Sequence, residues 1–349
     1  MTEDSDEVLT RIEGSVGLIT LNRPKAINSL NQQMVDMLSA VLTRWEDDDA
    51  VRAVVLSGAG ERGLCAGGDV VAVYHSARTD GVDARRFWRD EYLLNGQIGR
   101  FAKPFVSLMD GIVMGGGVGV SAHANARVVT DTSKIAMPEV GIGFVPDVGG
   151  AFLLARAPGA LGLYAALTGA PFSGADAIAM GFADHYLPHS ELDAFTAAII
   201  ADGVASALAS HAVEPPASTL VAHSDWIDEC FSGDTVEDIV AALRGHDAGP
   251  DAGSAQDAAN LIASRSPIAV SVAREVVRRA AKLETLEDIL IQDYRVSSAA
   301  VYSHDLVEGI RAQIIDKDRN PKWSPATLAA VTAADIDAYF APVDDDLSF

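Results

Sequence analysis

Glu139 and Asp147 are the residues on which chemistry is most readily placed. They lie in Met137-Pro-Glu-Val-Gly-Ile-Gly-Phe-Val-Pro-Asp-Val-Gly-Gly150, an apolar stretch too rich in Gly and Pro for a helix or a regular strand. A carboxylate in apolar surroundings loses hydration and must be compensated or put to use. Two of them on one loop suit acid/base or nucleophilic work on a substrate held by backbone amides. For a single acid, helix capping or pairing with a base such as Arg156 is the better reading. For two acids bracketing Gly141, Gly143 and Pro146, function is favoured.

Two glycine loops are suited to supply such amides. Gly115-Gly116-Gly117 sits between an apolar strand and an expected helix, where helix N-terminal N–H groups favour a developing oxyanion. Leu64-Cys-Ala-Gly-Gly-Asp69 is a second loop of small residues with accessible backbone. Alone, the triple glycine reads equally well as a tight turn, and the 64–69 loop reads more often as just a turn. A dinucleotide fingerprint fails on spacing, since the glycines give Gly115-x-Gly117-x-x-Val120 and start four residues beyond the strand. Ser121 lacks the second glycine of a nucleophile elbow and reads as a helix-interior serine. His185 and His189 have Pro188 between them, which spoils a helical metal pair, and the eight histidines form no ligand cluster, so no metal is expected. Glu91, in Arg89-Asp-Glu-Tyr-Leu-Leu-Asn95, falls on an expected helix, and its own surroundings read as those of a solvated acid.

The elements that must position these residues alternate. Val16–Leu21, Val51–Ser57, Phe105–Asp110 and Arg127–Asp131 read as strands. Met34, Met37, Leu38, Val41, Leu42 and Trp45 recur at steps of three and four and predict an amphipathic helix capped by Ser29 or Asn31. Val118–Ala126 reads as helical. Strand–loop–helix alternation predicts an α/β core over residues 8–211. Pro215-Pro216 and the Gly/Asp-rich run Gly245–Gly253 predict a loop or linker region at 212–255, and a helical C-terminal region follows at 256–345.

Composition narrows the partners. The 349 residues carry a formal net charge of −23, which disfavours nucleic acid and anionic membranes, because phosphate binding needs a basic surface. No apolar run reaches the ~18 residues of a membrane span. The N-terminus, Met1-Thr-Glu-Asp-Ser-Asp-Glu7, is acidic and unlike a secretory signal or transit peptide. With two distant cysteines, Cys65 and Cys230, it predicts a cytoplasmic protein with free thiols.

Leu18-Ile-Thr-Leu-Asn-Arg-Pro24 with Ala26-Ile-Asn28, Cys65-Ala-Gly-Gly-Asp69, Gly111-Ile-Val-Met-Gly-Gly-Gly117 and Pro138-Glu139 occur in an order that resembles the crotonase (enoyl-CoA hydratase/isomerase) superfamily. Within it, the 137–150 block and Glu308-Gly-Ile-Arg-Ala312 with Ile315-Asp-Lys-Asp-Arg-Asn-Pro-Lys-Trp323 are most like the 3-hydroxyisobutyryl-CoA hydrolases. The resemblance spans about residues 8 to 328. It implies a spiral of ββα turns with a helical C-terminal part, and hydrolysis of a short-chain 3-hydroxyacyl-CoA thioester in valine catabolism. Enoyl-CoA hydratase or isomerase activity is the alternative. The backbone N–H groups of Gly68 and Gly116 would form the oxyanion hole, Glu139 and Asp147 the catalytic acids, and Glu91 the hold on the substrate's 3-hydroxyl. Arg23, Lys25 and Lys103 are the basic candidates for the CoA phosphates. Coenzyme A would enter as part of the substrate, with no resident cofactor, and the superfamily's trimers imply a homo-oligomer. The position where hydratases carry their first catalytic glutamate is Gly119 here, so the second acid has to come from Asp147.

Overall fold

The computed structural model describes residues 6–349; the acidic residues at positions 1–5 lie outside it. The chain forms two units, each assembled from separated stretches. The first takes the residues up to Gly68 together with Asp90–Ile135 and Phe172–Ser218; the second takes Asp69–Arg89, Ala136–Pro171 and Thr219–Phe349.

Among the described residues, nine strands belong to two sheets: β1 Val8–Glu13, β2 Val16–Leu21, β3 Ala53–Gly58, β4 Phe105–Met109, β5 Ile112–Met114, β6 Ala126–Thr130, β7 Lys134–Ala136, β8 Phe172–Ser173 and β9 His185–Leu187. The larger sheet has the order β1-β2-β3-β4-β6-β9, the smaller β5-β7-β8. Only β1 and β2 pair antiparallel in the larger sheet, through a two-residue Gly14-Ser15 connection; every later pair there is parallel. Parallel strands are covered on both faces, which is why β3, β4 and β6 read as near-continuous apolar runs. One face packs Leu18, Val55, Val106, Leu108 and Val128 against Phe195, Ile199 and Ala207 of helices Leu192–Asp202 and Val204–His211. The predicted amphipathic helix forms over Gln32–Glu46, capped by Asn31, whose side chain accepts the Met34 N–H at 2.9 Å. Its Trp45 ring fills the space that a side chain at Gly17 would need, so sheet and helix meet without a gap.

The second unit is mostly helical. Its largest members are Ala252–Ser264, Pro267–Ala280 and Leu286–Ala300, and it also holds Gly150–Leu154, Leu161–Thr168 and His304–Ile310. Ser266, Thr285 and Ser303 cap three of these, each accepting a backbone N–H from the first turn.

Two local expectations need correction. Residues 212–255 were expected as a loop or linker but contain helices Thr219–Ala222, Ser224–Cys230 and Val236–Gly245. They are short, and the Pro and Gly clusters at the ends of the stretch hide them. The signal was present: Thr235 and Asp238 form a capping box, and Val236, Ile239, Val240 and Leu243 are buried at helical spacing. The helix expected over Val118–Ala126 is a single turn, Gly116–Gly119, followed by tight turns. Gly116, Gly117 and Gly119 within that turn weaken a helix.

Candidate active site

In the first unit, β3 runs into the loop 58–68, and the loop is fixed by backbone bonds rather than by its small side chains. Leu64 N–H donates to the Asp110 carbonyl at 2.9 Å, Cys65 N–H to Ile112 at 3.1 Å and Ala66 N–H to Ile27 at 2.9 Å. Gly67 accepts from Leu30 N–H at 2.8 Å, and Leu30 bridges to Gly68. The Asn28 amide, fully buried, donates to the Ala59 and Gly63 carbonyls and so closes the loop from beneath. After β5, Gly115 at φ +49° and ψ −120° reverses the chain and starts the turn at Gly116, a conformation only glycine adopts freely.

These two loops converge. A Cβ added to Gly116 would lie 3.3 Å from Gly68 N and 2.5 Å from Glu91 Oε1. The backbones at 68 and 116 are therefore neighbours, with the Glu91 carboxylate beside them. Glu91 is 2% exposed, which overturns its reading as a solvated acid. Cys65 packs under the same turn, and burial, followed by the nearby Glu91 charge, pushes its thiol up to about 12. Ser121 donates to the Gly117 carbonyl at 2.6 Å, as a helix serine does, so its hydroxyl is tied to structure.

Two of the three basic candidates, Arg23 and Lys103, are engaged locally. Lys103 Nζ donates to the Trp45 and Asp48 carbonyls, and Arg23 donates to the Ser29 carbonyl and pairs with Glu7 at 3.2 Å.

Glu139 and Asp147 belong to the second unit, and both are buried, at 7% and 5% exposure. Glu139 opens a 3-10 turn, Glu139–Ile142, closed by Gly143 at φ +73°, and its carbonyl accepts the Phe144 N–H at 3.1 Å. Phe144 stacks on Trp88 with ring centroids 5.2 Å apart and planes 11° from parallel. Helix His304–Ile310 presses on this turn from below: the Gly143 backbone lies against the Asp305 backbone, and Gly309 against the Ile142 carbonyl, with no room for a Cβ at either glycine. Asp305 is held in turn by Ser266 Oγ at 2.5 Å and Ser324 N–H at 2.8 Å. The Glu308–Arg311 pair continues this buttress, with Arg311 also bonding Asp316 and Asp318. The C-terminal sequence block thus serves as a support for the Glu139 turn.

Beyond it, Val148 at φ +53° and Gly149 at φ +74° turn the chain after Asp147, and Gly150 N–H donates to the Asp147 carbonyl at 2.7 Å. Gly149 N–H donates to Asp293 Oδ2 at 2.8 Å. Arg156, considered as a partner for the acids, spends its guanidinium on the Phe152 and Leu283 carbonyls and on the Phe152 ring.

Asp293 escaped the sequence reading. It is fully buried, and burial, reinforced by the Asp147 charge and opposed by the Gly149 N–H, holds its carboxyl well above the usual carboxylate range. A signal existed: in helix Leu286–Ala300 it falls on the stripe of Ile289, Leu290 and Val296, an acid on an apolar face. Among the described residues no cluster of three or more His, Cys, Asp or Glu side chains suits a metal ion.

Residues 16–340 match the model of the enoyl-CoA hydratase/isomerase family, and the chain belongs to that family. Its fold is the crotonase fold of solved members, and the enzyme class is that of proteins acting on acyl-CoA thioesters. It is 37% identical to the mitochondrial 3-hydroxyisobutyryl-CoA hydrolase of Homo sapiens, over 100% of this chain and 92% of the relative. It is also 37% identical to that of Danio rerio, over 97% and 90%. Both relatives are named mitochondrial, which lends the cytoplasmic expectation no support. Among solved structures it is similar to a carnitinyl-CoA dehydratase from Mycobacterium thermoresistibile, at 69% identity, TM-score 0.95 and 99% coverage of both chains. It is likewise similar to an enoyl-CoA hydratase from Rhodobacter sphaeroides, at 38% identity, TM-score 0.91, covering 98% of this chain and 100% of the other. No helix among the described residues is long and apolar enough to cross a membrane.

Proposed function

We propose that the chain hydrolyses a short-chain 3-hydroxyacyl-CoA thioester, with 3-hydroxyisobutyryl-CoA as substrate, to the free acid and coenzyme A. One observation supports this above the rest: two buried carboxylates, Glu139 and Asp147, sit on one hydrogen-bonded loop, while Gly119 offers none. In this reading the amides of Gly68 and Gly116 receive the thioester oxygen and stabilise its negative charge in the tetrahedral intermediate. Glu139 either attacks the carbonyl carbon, expelling CoA thiolate and leaving an acyl anhydride for water to open, or takes a proton from the attacking water. Asp147 orients that water or relays its proton. Glu91, beside Gly116, accepts the substrate's 3-hydroxyl. Coenzyme A is a leaving group here and not a resident cofactor, and this substrate places the reaction in valine breakdown.

A second reading has a specific observation behind it, since the chain at 69% identity is described as a dehydratase. Dehydration needs a proton removed beside the carbonyl and a leaving hydroxyl protonated, which Glu139 and Glu91 would have to share. Parallel assays with 3-hydroxyisobutyryl-CoA, crotonyl-CoA and carnitinyl-CoA, following thiol release and the enoyl chromophore, separate the two. The hydrolase reading expects thiol release from the first and no change in enoyl absorbance with the others. It also expects Glu139→Gln to lower kcat by ~10²-fold or more, in the range general acid–base groups contribute, while CoA binding persists. Enoyl formation or loss without thiol release would replace it with dehydratase or hydratase chemistry.

A further inference from the structure

We propose that Asp293 is the positioning residue for Asp147: its buried carboxyl pins the 147–150 loop through the Gly149 N–H. The proposal rests on the reading of Asp147 as a catalytic acid. Its geometry is local to the second unit. Asp293 stands in the middle of helix Leu286–Ala300, which packs on Gly150–Leu154, the helix that begins where the Asp147 loop ends. Its Oδ2 takes the Gly149 N–H at 2.8 Å. That amide follows Val148, a β-branched residue at φ +53°, so the bond holds a turn that the sequence alone would not favour. Its other oxygen, Oδ1, is buried and accepts no hydrogen bond among the described residues. With one oxygen buried and unpartnered, the ionised carboxylate is costlier than the neutral acid.

The surroundings agree with a neutral acid. The helix Gly150–Leu154 has no titratable side chain. The charged residues of Pro267–Ala280, the other helix packed against Leu286–Ala300, are occupied elsewhere: Glu275 with Arg278 and Arg279, Arg279 also with Asp337, and Arg274 with the Gly233 carbonyl. On its own helix, Tyr294 bonds Asp345, a residue paired also with Arg85, and Arg295 pairs with Asp346. The Asp147 charge adds to the effect of burial in opposing ionisation of Asp293.

The test begins without substrate. Isotope-edited infrared spectra of the full-length protein at pH 7 should contain a protonated carboxyl band that Asp293→Asn removes. In Asp147→Asn that band should persist and titrate at lower pH than in the wild type. No band lost on Asp293→Asn would overturn the neutral, buried Asp293 that the proposal requires. In kinetics, Asp293→Leu, which cannot accept the Gly149 N–H, should lower kcat by ~10²-fold with little change in KM, the scale of a misplaced catalytic group. Asp293→Asn retains an acceptor for the Gly149 N–H and should recover most of that loss. Thermal melts and exchange of the Gly149 amide separate loop release from unfolding. An Asp293→Leu enzyme, folded and as active as wild type, would refute positioning. Wild-type protein that releases no thiol would refute the hydrolase reading instead, and the infrared result would stand apart from it.

Discussion

Gly116→Ala is a perturbation whose outcome the structure sets closely. The backbone at 116 is outside the left-handed region, so alanine meets no conformational penalty there. What it meets is space already filled: the new methyl would stand 2.5 Å from Glu91 Oε1, 3.2 Å from Leu30 Cδ1 and 3.3 Å from Gly68 N. The tightest of these is the end of a side chain, which can swing away, so the stability cost is that of modest overpacking, about 1–3 kcal/mol. The functional cost is larger. The methyl shields the Gly68 amide and displaces Glu91, and removal of one oxyanion donor costs ~2.7–4 kcal/mol, or ~10²–10³ in kcat. Thiol-release kinetics with a melting curve on the same preparation measure both. The contrast with Gly117→Ala sharpens the result, because a Cβ there meets the Cys65 carbonyl, which cannot move without the backbone. That variant should be much less stable, whereas Gly116→Ala should be folded and slow. A folded Gly116→Ala enzyme with wild-type kcat would refute the assignment of the oxyanion hole.

Two further outcomes follow from the ionisation and burial of other residues. The Glu275 carboxyl, bonded by Arg278 with Arg279 adding to it against the cost of burial, is lowered from 4.5 to about 2. Its stabilisation is present above pH 4.5 and lost as pH falls through about 2. Glu275→Gln should therefore cost about 1 kcal/mol at pH 7 after solvent screening, a difference that disappears in melts near pH 2. Equal melting temperatures at pH 7 would dismiss the ion-pair contribution. Cys65 is fully buried with its thiol pushed up to about 12, so iodoacetamide should leave it unlabelled in the native protein and label it after unfolding; rapid native labelling would mean that the 64–68 loop opens.

Much of the fold was legible because it is written in periodicity and in glycine. The apolar runs of β3, β4 and β6 and the three-and-four spacing from Met34 to Trp45 each admit one reading, and they form as read. The motif residues were equally visible, since Gly68, Gly116, Glu139 and Asp147 stand in Gly- and Pro-rich stretches whose composition fits no long regular element. Helices Thr219–Ala222 and Ser224–Cys230 were not, because four to seven residues make too few turns to show a period, and the spacing within Val236–Gly245 was masked by the neighbouring Gly-rich run.

What tertiary structure alone decided is which acids are buried and what stands beside them. Glu91 and Asp293 each occur once on an otherwise apolar helix stripe, a pattern equally compatible with a partly solvated edge. Only the packed structure puts Glu91 against Gly116 and Asp293 on the Gly149 amide. The same holds for Gly309 and Asp305, more than 150 residues from Ile142 and Gly143 in the chain yet supporting their turn. A sequence specifies which groups are available and where the backbone can bend. The cost of a buried charge, and hence its protonation and its role, depends on neighbours that are distant in sequence and meet only in the folded chain.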